Sequence, residues 1–145
     1  MSRVRLARAA CVVVGVAALT GCAEVESESP TGYQPSSLQP VDESEDLQRV
    51  TFTQEGAQRV GLQTAKVEAD GGRMVVPYAS LLYDPEGMTF VYTSAKPLEY
   101  LREEVKVDRI VGNRVHLKDG PAAGTEIVTT GVVQVYGTEL EINDH

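Results

Sequence analysis

The sequence predicts an all-β fold: a small barrel-like or sandwich domain with one or two short helices over residues 47–145, after a signal peptide over 1–21 and a disordered linker over 22–46. Three observations predict it. From Leu47 onward, short runs rich in Val, Ile, Thr, Tyr and Phe alternate with turns containing Gly, Pro, Asn or Asp, the punctuation of short paired strands. Before Leu47, the few apolar residues are scattered among Glu, Ser, Pro and Gln. At the start, the apolar run 9–19 follows Arg3, Arg5 and Arg8, the layout of a secretory signal.

The elements follow in order. Arg49-Val50-Thr51-Phe52-Thr53 alternates as a strand and ends on a Thr able to cap a helix. Residues 54–60 form a short helix with Ala57 and Val60 on one face and Gly61 at its end. Residues 62–68 resume a strand, and Asp70-Gly71-Gly72 turns the chain. Residues 73–76 run into Pro77, the mark of a strand end or edge. Tyr83-Asp84-Pro85-Glu86-Gly87 is a turn, with a strand over 88–94 after it. A Lys96-Pro97 break precedes one extended stretch, 98–110, where Val105, Val107 and Arg109 share a face and Lys106 and Asp108 take the other. Gly112-Asn113 makes a hairpin turn into Val115 and Leu117, with His116 alternating out to solvent. Lys118-Asp119-Gly120-Pro121 turns again. Residues 127–130 are a strand, 131–136 a short helical turn and 138–142 a last strand.

The linker has its own logic. Pro30, Pro35 and Pro40 recur at five-residue spacing and oppose any helix. Such a segment buries too little apolar surface to offset its ordering entropy, so an acidic, disordered stalk is expected.

Leu19-Thr20-Gly21-Cys22 resembles the lipobox of bacterial lipoproteins at all four positions. The resemblance implies that the Cys22 thiol receives a diacylglycerol and that the chain is cut between Gly21 and Cys22. The run 9–19 is too short for a bilayer core that needs about 20 residues. Removing Met1 to Gly21 leaves 124 of 145 residues and takes three arginines away, so the net charge moves from −8 to −11. An acidic body is a poor partner for nucleic acid or anionic lipid, so the membrane partner is reached through the lipid on Cys22, where several acyl chains give stable anchoring. The expected location is the extracytoplasmic face of a bacterial membrane, or the periplasmic face of an outer membrane where there are two. Cys11 leaves with the signal and Cys22 is acylated, so the folded region has no thiol for a disulfide or a thiolate site.

Further along, Val75-Val76-Pro77-Tyr78-Ala79-Ser80-Leu81-Leu82-Tyr83-Asp84, Thr89-Phe90-Val91-Tyr92, Val105-Lys106-Val107, Val115-His116-Leu117, residues 120–124 and Ile127-Val128-Thr129-Thr130-Gly131 occur in that order. Upstream stands Gly61-Leu62-Gln63-Thr64-Ala65. Together they resemble the membrane-proximal domain of membrane-fusion proteins, the periplasmic adaptors of tripartite efflux systems. That resemblance implies a small barrel-like unit and, as partner, a transporter permease or an adaptor-like subunit. Full adaptors carry a barrel, a lipoyl-like domain and usually a helical hairpin between the two outer segments. Here only residues 68–74 join Val67 to Val75.

No constellation for chemistry is present. His116 and His145 are the only histidines, and Asp144-His145 reads as a frayed terminus rather than a metal site. No nucleophile elbow or phosphate loop occurs, Met74 and Met88 read as packing residues, and no cofactor or metal is expected. Tyr78, Tyr83, Tyr92 and Tyr100 are the candidate interface, since Tyr offers both area and a hydroxyl. The expected function is that of a lipid-anchored, non-enzymatic accessory protein of the cell envelope acting by docking. The alternative is a free-standing lipoprotein that binds a small ligand or an envelope polymer. Cys22→Ser should release the protein from the membrane fraction and leave no acyl mass on its N-terminal peptide. A variant still tightly held after carbonate washing would contradict the anchoring.

Overall fold

The computed structural model describes residues 34–41 and 47–140. Their strands are β1 (Ser36–Pro40), β2 (Gln48–Phe52), β3 (Gln63–Lys66), β4 (Glu68–Asp70), β5 (Arg73–Pro77), β6 (Leu82–Tyr83), β7 (Thr89–Lys96), β8 (Glu99–Glu104), β9 (Lys106–Val111), β10 (Arg114–Asp119) and β11 (Glu126–Thr130). Two helices, α1 (Gln54–Val60) and α2 (Val132–Leu140), accompany them. One antiparallel sheet has the order β1-β2-β8-β7-β11-β3, with β6 hanging on β7; the other has the order β4-β5-β10-β9. Neither closes into a barrel, and the architecture is that of a sandwich-like all-β domain.

Local chemistry accounts for many boundaries. The Thr53 side chain accepts from the Gly56 N–H at 3.0 Å and starts α1, and Gly61 ends it at φ 73°, a left-handed cap. Gly71 and Gly72, at φ 57° and 77°, form the two-residue turn between β4 and β5, where a side chain would be strained. Gly112-Asn113 is the two-residue turn joining β9 to β10, with Gly112 at φ 61°. Pro97-Leu98 joins β7 to β8, and there Leu98 itself takes φ 67° while its side chain packs on the core.

The centre of the first sheet is buried on both faces. Val50, Phe52, Phe90, Tyr92, Tyr100 and Val128 meet Ala57 of α1 and Val132 and Val135 of α2. On the other face, Val91 and Ile127 pack against Val76, Val115 and Leu117 of the second sheet. Adjacent residues of β7 and β11 therefore serve different cores, as the two-residue period of a strand requires.

Two expected single strands are broken where the chain passes from one sheet to the other. The stretch 62–68 divides at Val67, and 98–110 divides at Val105. Both valines are 2% exposed, and their amides bond to Thr125 and Thr89 carbonyls at 2.8 Å. A bulge also splits the face expected for Val105, Val107 and Arg109. Leu117 stands opposite Val107 but His116 opposite Arg109, with Asp108 the extra residue. Paired residues share a face, so Arg109 lies with His116 on the outer side, away from Val107.

Three further expectations are corrected. Residues 36–40 belong to the β domain rather than to the linker. β1 pairs with β2, Leu38 packs on the core, and the Pro35 carbonyl takes the Thr53 N–H at 2.9 Å. That carbonyl would lie 2.4 Å from a Cβ at Gly56, so only glycine fits there. Composition missed β1 because its partner is the free edge of β2, not its own apolar content. His116 is 6% exposed, not solvated, because β10 is an inner strand of its sheet. The strand expected over 138–142 is, as far as Leu140, the last turn of α2; the rest lies outside the described residues.

α2 is held down by polar groups as well as by Val132 and Val135. Glu139 is 1% exposed. It accepts a hydrogen bond from the Tyr92 hydroxyl at 2.5 Å, and the Arg102 Nε lies 3.4 Å from its other oxygen. Tyr92 and Arg102 are directly opposite on β7 and β8, so one carboxylate closes over one cross-strand pair. The Arg102 guanidinium also stacks over Phe90, 4.9 Å from the ring centre. Burial first, then the Glu139 hydrogen bond and charge, push the Tyr92 pKa up, so the hydroxyl stays a donor.

Arg102→Met leaves Glu139 buried without this cation and should cost about 3–5 kcal/mol. Urea unfolding monitors that loss, and replacing Arg102, Glu139 and Tyr92 together by Met, Leu and Phe should recover most of it. A second expectation concerns pH. Burial first, then Asp119, raise the Glu103 pKa. A raised carboxyl makes its contribution at low pH and loses it as pH climbs through the folded value. Glu103→Gln should therefore raise the melting temperature slightly at pH 7 and leave it unchanged below about pH 4. The effect is small because the group is largely solvated.

Candidate interaction surface

The four candidate tyrosines separate into two pairs. Tyr92 and Tyr100 are 0% and 4% exposed and belong to the core, so they are not surface residues. Tyr92 is bound to Glu139, and the Tyr100 ring packs edge-on to Phe52 with centroids 6.1 Å apart. Their strands lie in the middle of the first sheet beneath the helices, which the alternation of β7 alone could not reveal. Tyr78 and Tyr83, at 48% and 50%, remain at the surface.

Backbone chemistry fixes this exposed pair. Pro77 ends β5, and the chain enters a 3-10 turn over Tyr78–Ser80. The buried Ser80 hydroxyl donates to the Pro77 carbonyl at 2.6 Å, and the Tyr78 N–H donates to the Asn113 carbonyl at 2.8 Å. Tyr83 pairs with Thr89 at the end of β6. The following turn is closed by Asp84, whose carboxylate accepts from the Met88 N–H at 2.7 Å and whose carbonyl accepts from Gly87 at 3.0 Å. Gly87 supplies the φ of 86° this turn needs. Burial, then the charge of Tyr78 and a hydrogen bond with it, raise the Tyr83 pKa.

Register brings further apolar groups to this end. Met88 adjoins Thr89, and Val111 and Ile110 lead into the Gly112-Asn113 turn that holds Tyr78. Met88, Ile110 and Val111 are 46%, 45% and 57% exposed. The sequence singled out the tyrosines but not Ile110, the last residue of the expected stretch 98–110, nor Val111 just after it.

The remaining candidates sit elsewhere. Gly21 and Cys22, with the expected signal cleavage and lipidation, lie outside the described residues, as does His145. Among the described residues no group of three or more His, Cys, Asp or Glu could hold a metal ion. No described helix is long and apolar enough to cross a membrane. A cleft of about 180 Å³ is lined by Glu68, Val75, Val76, Pro77, Asn113 and Arg114. Arg114 spans β5 above it, binding Glu68 at 2.8 Å and Asp70 at 3.6 Å. The cleft is below the roughly 300–1,000 Å³ of small-molecule sites. Comparison with protein families, curated proteins and solved structures finds no match.

Proposed function

We propose that this chain is a lipid-anchored, non-enzymatic accessory protein of the cell envelope that acts by docking. The sequence resemblance to efflux-transporter adaptors suggests a transporter permease or an adaptor-like subunit as the partner. The observation that carries the docking reading is the apolar rim of Tyr78, Tyr83 and Met88 on tightly bonded turns. A rim already held in shape loses little entropy on binding, and tyrosine is a favoured residue at such contacts. Asp84 and Glu86 beside it suit a basic surround on the partner.

The strand order adds a direction. Ser36 pairs with Phe52, whose amide bonds to Leu98 in the β7–β8 turn. β1 thus begins at the end of the first sheet opposite the 84–88 turn.

Tyr78→Ala combined with Tyr83→Ala should leave the melting temperature nearly unchanged, because both side chains are half-exposed. It should weaken partner binding by about tenfold or more. Crosslinking in cells, with the partner identified and its affinity then measured at two salt concentrations, tests this. An unchanged affinity would remove this rim as the interface.

A further inference from the structure

β9 is an edge strand among the described residues, paired only with β10. Its sequence is Lys106-Val107-Asp108-Arg109-Ile110-Val111. We propose that a second copy of this chain pairs with it, β9 against β9 antiparallel about a twofold axis, joining the two smaller sheets into one.

The charge order carries the inference. With the axis between residues 108 and 109, Asp108 of each copy stands opposite Arg109 of the other. Val107 stands opposite Ile110, and Lys106 opposite Val111. The strand is complementary to itself in both charge and apolarity, as an isologous contact demands.

The bulge makes that register possible. In a regular strand, residues three apart point to opposite faces and could not meet across such an axis. Here Val107 faces Leu117, and Ile110 faces Val115, both on the inner side. Arg109 pairs with His116 on the outer side, and Asp108 reaches Lys118 there at 3.9 Å. The extra residue therefore puts Val107 and Ile110 on one face and the two charges on the other. Within one chain, Asp108 and Arg109 lie 3.3 Å apart, so both charges are already oriented on that face. Ile110 and Val111, unusually exposed for a strand edge, would be covered by the second copy.

One strand pair covers less than the roughly 1,200 Å² of a stable interface, so association is weak in solution, and enrichment on a surface strengthens it. The pairing uses the β9 edge and does not depend on the docking reading above.

Sedimentation of the full chain in non-ionic detergent, up to about 1 mM, should show a monomer–dimer equilibrium. Asp108→Arg and Arg109→Asp should each weaken it by about tenfold, because like charges then oppose across the axis. The double variant Asp108→Arg with Arg109→Asp should restore it to within about threefold. Circular dichroism checks that each variant is folded. Val111→Lys, which leaves the bulge intact and opposes Lys106, should weaken the dimer to a similar degree. A chain that stays monomeric throughout overturns the proposal. So does a dimer indifferent to the single reversals or to Val111→Lys, or a folded double variant that fails to recover.

Discussion

The carboxylate of Glu139 is the interaction on which the helical layer depends. A carboxylate with 1% exposure must recover its lost hydration from its neighbours. Tyr92 donates to one oxygen and the Arg102 Nε lies 3.4 Å from the other, which accepts no hydrogen bond among the described residues, and both partners come from neighbouring strands at the centre of the first sheet. The arrangement sets the register of α2 on that sheet more narrowly than Val132 and Val135 could, since apolar contacts slide and a bonded carboxylate does not. With α2 in place, Val128, Phe90 and Tyr92 are covered and the first sheet becomes an inner layer.

The second constraint is the pair of buried valines at which the chain changes sheet. Val67 and Val105 belong to the core between the sheets, and each interrupts a run of extended backbone. Strands that turn a corner at a buried residue let one short chain build two sheets without long connections. The same crossings bring the 84–88 turn and the Gly112-Asn113 turn to one end, with Tyr78 bonded between β5 and β10. The apolar rim is thus a product of topology and not of one segment.

Rim and edge offer different chemistry. The rim is side-chain surface on closed turns, suited to an apolar patch with basic surroundings. The β9 edge is backbone flanked by alternating charge, suited to another strand. Ile110 and Val111 lie next to the rim, so antiparallel pairing at β9 would place the two rims at opposite ends of the joined strands.

The sequence by itself determined the all-β class, the helix over 54–60 with its Thr53 and Gly61 caps, and the turns at Gly71-Gly72, Asp84–Gly87 and Gly112-Asn113. These are local matters, decided by propensity, caps and left-handed glycines within a few residues. Only the tertiary structure decided that Ser36–Pro40 is a strand, that His116, Tyr92 and Tyr100 are buried, and that residues up to Leu140 continue a helix. Each of these depends on a partner far along the chain: the β2 edge for β1, the neighbouring strands for His116, and the Tyr92–Arg102 pair for Glu139. The Val132, Val135 and Glu139 spacing fits a helix, but the Thr138-Glu139-Leu140 alternation fits a strand equally well. Burial of a carboxylate against a distant tyrosine and arginine settled that choice, because long-range electrostatics and packing outweigh local preference where a chain end meets a core.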